Sequence, residues 1–147
     1  MNQAARIYWD EYWKGQKKPM TVSEWQFGGE SDYLAQLVVD GVKTATCSGH
    51  IFYELKDEPL PTTENYGVIL DTQDNPLAIV KTIEVKLTPM NEVTEEFAIA
   101  EGDGTYKNWW DIHEEYFTEE LNAVGLEFSE DLLLVCERFE VIDVKNG

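Results

Sequence analysis

The sequence predicts an α+β fold, and three observations carry that prediction. Segments with helical spacing and segments with strand spacing follow the order α, α, β, ββ, α, α, β, without the regular βαβ alternation of a doubly wound sheet. Two apolar runs, 66–71 and 77–87, flank Asp74-Asn75, a turn signal that makes them a hairpin. Finally, 43% hydrophobic and 12% aromatic residues in a chain of 147 supply one sizeable core, so the expectation is a single domain over 1–147.

Each element has a local reason. Residues 3–15 read as a helix, with Ile7, Tyr8, Tyr12 and Trp13 on its apolar face and Gly15 as its stop. A basic loop with Lys14, Lys17, Lys18 and Pro19 follows, and 21–27 fits neither period clearly. Ser31 and Asp32 are N-cap candidates for a second helix through Leu34, Leu37 and Val38, stopped at Gly41. Residues 43–48 read as extended, 50–55 as about one helical turn and 59–63 as a loop. Pro89 ends the hairpin's second strand; 93–99 and 106–121 have helical spacing, and 132–144 alternates as a last strand. Trp13 and Trp25 are aromatics that belong either to the core or to a homodimer interface.

Charge narrows the function. The formal net charge is −18, which repels polyanions at long range and excludes a broad basic surface for duplex DNA. It is unevenly spread: residues 1–48 carry five basic and six acidic side chains, the remainder six and 23. An anion site therefore draws on the N-terminal third. No apolar run is long enough to span a membrane, and the N-terminus lacks the apolar stretch of a signal peptide, so a cytoplasmic protein is expected. Cys47 and Cys136 read as free thiols of a reducing compartment, with a single disulfide between them the alternative.

The segment Gly41-Val42-Lys43-Thr44-Ala45-Thr46-Cys47-Ser48 places an amine, several hydroxyls and a thiol directly after a helix stop. Lys43 is a candidate oxyanion partner or, partly buried, a base. A threonine hydroxyl needs such a base to become a nucleophile. In a regular strand Thr44, Thr46 and Ser48 would share one face and Lys43, Ala45 and Cys47 the other. Lys43 and Thr46 can meet only if Lys43 lies in the turn before the strand or its stem curls around the edge. The bland alternative is a plain helix-to-strand connection.

A second segment, Glu101-Gly102-Asp103-Gly104, reads as a tight loop ahead of a helix carrying Trp109 and His113 on one face. Glu101 and Asp103 are carboxylates for a pocket edge; Trp109 and His113 are either its neighbours or core. The loop lacks the alternating oxygen ligands and terminal Glu of an EF-hand. Two cysteines and two histidines at unrelated spacings make no zinc signature, no Gly-rich phosphate loop is present, and nothing calls for a metal or cofactor. A Cys–His couple between Cys47 or Cys136 and His50 or His113 has no local signature.

Together these segments resemble the ASCH domain family. Gly41 to Thr46 resembles its G-x-K-T-x-T motif. Glu101 to Gly104, then Trp109, His113, Glu114, Tyr116 and Phe117, resemble the signature of its longer bacterial members, and Thr82-Ile83-Glu84-Val85 fits the family's apolar strand. The resemblance implies a PUA-like small β-barrel with flanking helices around a cleft. Small bacterial members include amidohydrolases that deacetylate N4-acetylcytidine; others bind or cleave RNA. Carried over by motif, the resemblance implies Lys43, Thr46 and Glu101 as catalytic: Lys43 the base for Thr46, Thr46 the nucleophile, and Glu101 the group that handles protons on the leaving nitrogen. Thr44, Ser48, Asp103, Trp109 and His113 are expected around the ligand. Many members carry Arg where this chain has Ser48, which weakens a claim on phosphate. The expected ligand is therefore a small nucleoside-like molecule, with single-stranded RNA the alternative.

Overall fold

The structure is a computed structural model that describes residues 1–27 and 31–145, with the side chain of Ser31 outside the described set. Ten helices and strands follow in chain order: α1 (Gln3–Tyr12), β1 (Val22–Trp25), α2 (Ser31–Val39), β2 (Ala45–Gly49), α3 (His50–Leu55), β3 (Tyr66–Leu70), β4 (Pro76–Pro89), α4 (Glu95–Ala100), α5 (Tyr106–Ala123) and β5 (Leu133–Val144). None of the described helices is long and apolar enough to cross a membrane.

Local chemistry sets the boundaries. Asn2, Thr94 and Thr105 cap α1, α4 and α5, each side chain accepting a first-turn N–H. Gly41, at φ 77°, takes the left-handed turn that ends α2. The capping role expected of Ser31 lies outside the described side chains. Asp32 sits in the first turn of α2, where its carboxylate accepts instead from the Thr72 N–H at 2.7 Å and hydroxyl at 2.8 Å.

The five strands form one mixed sheet in the order β1-β3-β4-β5-β2. Only β1 and β3 are parallel; the other pairs are antiparallel. The α+β class stands and the barrel does not: β1 and β2 are separate edges and the sheet is not closed. The long strands β4 and β5 pair along most of their length, and two register shifts, between Ile79 and Val80 and between Thr82 and Glu84, interrupt the ladder.

Each face of the sheet is covered. α1 packs Ala5, Tyr8 and Trp9 on Val68, Leu70 and Ile79. α2 packs Ala35 and Val38 on Ile69, Ala78, Val80 and Phe139, the opposite face of β3 and β4. α4 and α5 bring Phe97, Trp109, Phe117 and Leu121 onto Ala45, Leu134 and Cys136. Burying residues of this size stabilises by roughly 1.5–3 kcal/mol each. Trp13 joins the α1 aromatic cluster with Trp9, Tyr12 and Tyr66. Trp25 packs edge-on to Phe139 and lies over Gly67, where any Cβ would collide with its indole. Both tryptophans therefore serve packing within the chain.

Candidate functional site

The site forms where β2 leaves one side of the sheet open. Thr44 C=O accepts from Phe139 N–H, the hydrogen bond that opens the β2–β5 ladder, while Thr44 N–H donates to Ala100 C=O. Two residues on, Thr46 stands opposite Glu137 in the register, and by alternation Ala45 and Cys47 turn their backbone groups toward the free edge. Side chains alternate as well. Ala45 and Cys47 face α4 and α5, while Thr46 and Ser48 face the α2 side. A cleft that crosses the edge of β2 thus reaches residues from both faces. It encloses about 550 Å³ and is lined by Lys43, Thr46, Cys47, Glu101, Asp103 and His113, with Phe27, Tyr33 and Leu34 on one wall and Ile112, Glu115, Tyr116 and Glu119 on the other.

Lys43 lies in the turn before β2, one of the two arrangements that let Lys43 and Thr46 line a common cleft. It is 4% exposed, and its Nζ donates to Ala45 C=O at 2.8 Å and Glu101 C=O at 3.1 Å. The Glu101 carboxylate is 3.6 Å away through Oε1, and the Phe27 ring lies over the amine with its centroid at 5.3 Å. Acceptors meet this amine from every side, so it stands as an ammonium with its protons engaged.

Glu101 closes α4, and the chain leaves through Gly102 at φ 91°, a conformation that suits glycine. The Glu101 side chain is buried, at 1% exposure. Its Oε2 accepts from the Trp109 indole N–H and from the Cys47 thiol at 3.4 Å, and it lies 3.3 Å from His113 Nε2. His113 Nδ1 faces the Trp109 carbonyl at 2.7 Å, a pure acceptor, so Nδ1 carries a hydrogen. Nε2 is thereby turned toward Glu101 Oε2. Asp103 Oδ2 is 3.9 Å from His113 Nδ1, and burial pushes its carboxyl above the usual range.

Burial, and then the Glu101 charge, hold the Cys47 thiol well above its usual pKa. It remains a thiol that donates, not a thiolate nucleophile. Cys47, Glu101 and His113 each offer an atom to a metal within 4.8 Å of one another. A cation there would compete with the Lys43 ammonium and the Trp109 N–H for one carboxylate, so this donor set is built to hold protons more readily than a metal.

Of the residues expected from the sequence, Lys43, Thr46, Glu101, Asp103 and His113 come together. Trp109 is fully buried behind the cleft as a donor to Glu101. Thr44 is tied through its backbone to Ala100 and Phe139, and Ser48 shares a 2.9 Å hydrogen bond with Tyr53; neither lines the cleft. The cleft walls were not expected from the sequence, although Tyr116 stands in the family signature. Ile112, Glu115, Tyr116 and Glu119 lie at helical spacing beside His113, a signal that could have found them. Tyr33, Ile112 and Tyr116 are also among the large exposed apolar side chains of the surface.

The ASCH domain family model matches residues 23–143. The chain is similar to a crystal structure from Enterococcus faecalis V583 described by the family model DUF984, at 40% identity over 98% of this chain and 91% of that one, with a TM-score of 0.86. It is similar to an ASCH domain from Lactobacillus crispatus JV V101, at 28% identity over 99% and 97% of the two chains, with a TM-score of 0.92. A mutant form of an ASCH protein from Zymomonas mobilis, at 15% identity over 85% and 72% and a TM-score of 0.51, shares the fold alone. No match was found among curated proteins. With the motif at the head of β2, the Glu101 loop and the family match on the same cleft, the chain belongs to the ASCH domain family.

Proposed function

We propose that the chain is an amidohydrolase that removes an acyl group from the exocyclic nitrogen of a nucleobase or nucleoside such as N4-acetylcytidine. Family membership is compatible with hydrolase and with RNA-binding roles. What supports the hydrolase reading is one observation: the buried Lys43–Glu101 pair and Thr46 line one aromatic-walled cleft. A cleft of about 550 Å³ falls within the range of small-ligand sites, and Phe27, Tyr33 and Tyr116 offer flat faces to a heterocycle.

In this reading Thr46 Oγ attacks the acyl carbon, and the carbonyl electron pair moves to oxygen, where the Lys43 charge stabilises it. The amide C–N bond then breaks, and the leaving nitrogen takes a proton from the Glu101–His113 pair. Water attacks the acyl-threonine ester and gives one proton back to the Glu101–His113 pair; the ester C–O bond breaks, Thr46 Oγ takes back its own proton, and the acid departs as acetate with its proton released to solvent. Because the Lys43 protons are already engaged, the amine serves as a fixed cation, and the proton of Thr46 needs another acceptor.

The rim disfavours RNA. Asp103, Glu115 and Glu119 line the cleft, and Lys43 is its single cationic lysine or arginine among the described lining residues. The test is release of cytidine and acetate from N4-acetylcytidine. Wild type is expected to turn over, and Lys43→Ala to lose about 10²-fold or more in kcat/KM. Absence of turnover with any acylated cytosine or cytidine would remove the reading, and salt-sensitive retention of single-stranded RNA without product would put an RNA-binding module in its place.

A further inference from the structure

A second buried carboxyl stands across the β2–β5 ladder from Thr46. Thr46 projects to the α2 side of β2, whereas Glu101, His113 and Asp103 gather with α4 and α5 on the other. Directly opposite Thr46 on β5 stands Glu137, 7% exposed. Side chains of directly opposed antiparallel residues share a face, with Cβ atoms about 4.5–5.5 Å apart. The carboxyl has one side-chain hydrogen bond among the described residues, a long one from the Thr82 hydroxyl at 3.4 Å. A buried carboxyl with so little hydrogen bonding is costly, and its presence calls for an explanation.

We propose that Glu137 is the residue that orients the Thr46 hydroxyl and takes its proton as the Oγ–acyl bond forms. The proposal rests on the hydrolase reading for its substrate but not for its geometry. The proton leaves Oγ for the Glu137 carboxylate, the acyl C=O pair moves to oxygen, and ester hydrolysis returns the proton to Oγ. Glu137 acts through Thr46 and does not itself line the cleft.

The surroundings favour this role. Burial raises the Glu137 carboxyl from the usual range to about 7, with the Thr82 hydroxyl pulling weakly the other way. From α3, Tyr53 is the titratable group nearby; burial raises it, and its hydroxyl is occupied with Ser48. From β4, Glu84 pairs with Arg138 on the other face, and Arg138 also reaches Glu96 of α4. From α2, Asp32 is engaged at Thr72. No charged neighbour among the described residues therefore fixes the protonation of Glu137, and the base form is populated only as pH rises through about 7.

The test uses the full chain with two acyl donors, N4-acetylcytidine and p-nitrophenyl acetate, across the neutral range. The second reports acylation of Thr46 by peptide mass without depending on the natural substrate. In wild type both rates are expected to rise with unit slope through about pH 7. Glu137→Gln should abolish that limb and lower the plateau rate about 10²-fold or more, with cytidine affinity unchanged. Thr82→Val should move the limb to higher pH, since the carboxylate loses its hydroxyl donor; this variant decides the matter if Glu137→Gln does not fold. A folded Glu137→Gln protein that keeps rate and limb overturns the proposal, as does wild type that p-nitrophenyl acetate never acylates at Thr46. Acylation with the expected limb but no nucleoside turnover sinks the substrate reading and leaves the Glu137 assignment standing.

Discussion

Two buried carboxyls flank the β2 edge strand, and the protein treats them in opposite ways. Glu101 is met by an ammonium, an indole N–H, a thiol and an imidazole. Glu137, on the other face of the strand, meets one distant hydroxyl. A carboxylate surrounded by donors is held in place and organises its neighbours; one starved of them is left to exchange its proton near neutrality. Glu101 is thus the anchored hub of the proposed site, and Glu137 the carboxyl proposed to exchange a proton with Thr46.

The largest expected effect breaks the first half of that contrast. Glu101→Ala leaves the Lys43 ammonium buried beside two carbonyls with no counter-charge, and strips Trp109 and His113 of their acceptor. It should cost about 3–5 kcal/mol in urea unfolding. A loss under about 1 kcal/mol, the size of one ordinary hydrogen bond, would mean that Glu101 is not the hub.

Glu137→Gln should move stability the other way, and only at high pH. The folded carboxyl is raised from 4.5 to about 7, so its contribution is present below the ordinary value and lost as pH rises through the raised one. The variant should therefore gain on the order of 3 kcal/mol above neutrality and almost nothing near the ordinary carboxyl pKa. Thermal melts at the two pH values check the sign. An equal gain at both would contradict the titration.

Trp109→Phe keeps most of the packing and removes one donor to Glu101, at about 2 kcal/mol. Cys47→Ala should be smaller still, about 1 kcal/mol in stability and only a few-fold in turnover, because a buried, protonated thiol donates one weak hydrogen bond and is not the nucleophile. Loss of all turnover in Cys47→Ala would revive a Cys–His couple.

Much of this was legible in the chain. The Asp74-Asn75 turn, the Gly41 stop and the 106–121 spacing read directly, because each follows from local backbone preference or period. Lys43, Thr46 and Glu101 were legible by motif. The open sheet was not, because closure depends on whether two edge strands meet, and no local pattern encodes that. Thr44 and Ser48 were misplaced because only the register of β2 against β5 says which groups the ladder consumes. Glu137 was invisible for the same reason: in a chain with 29 acidic residues, only cross-strand pairing singles out the one opposite Thr46.

The most direct measurement is intact and peptide mass after rapid acid quench of the protein mixed with N4-acetylcytidine. A single acetyl group carried by Thr46, absent from Thr46→Ala and formed far more slowly in Glu137→Gln, is the predicted result. Cytidine released at full rate by Thr46→Ala, with no acetyl group on the chain at any time, would contradict the nucleophile and with it the account.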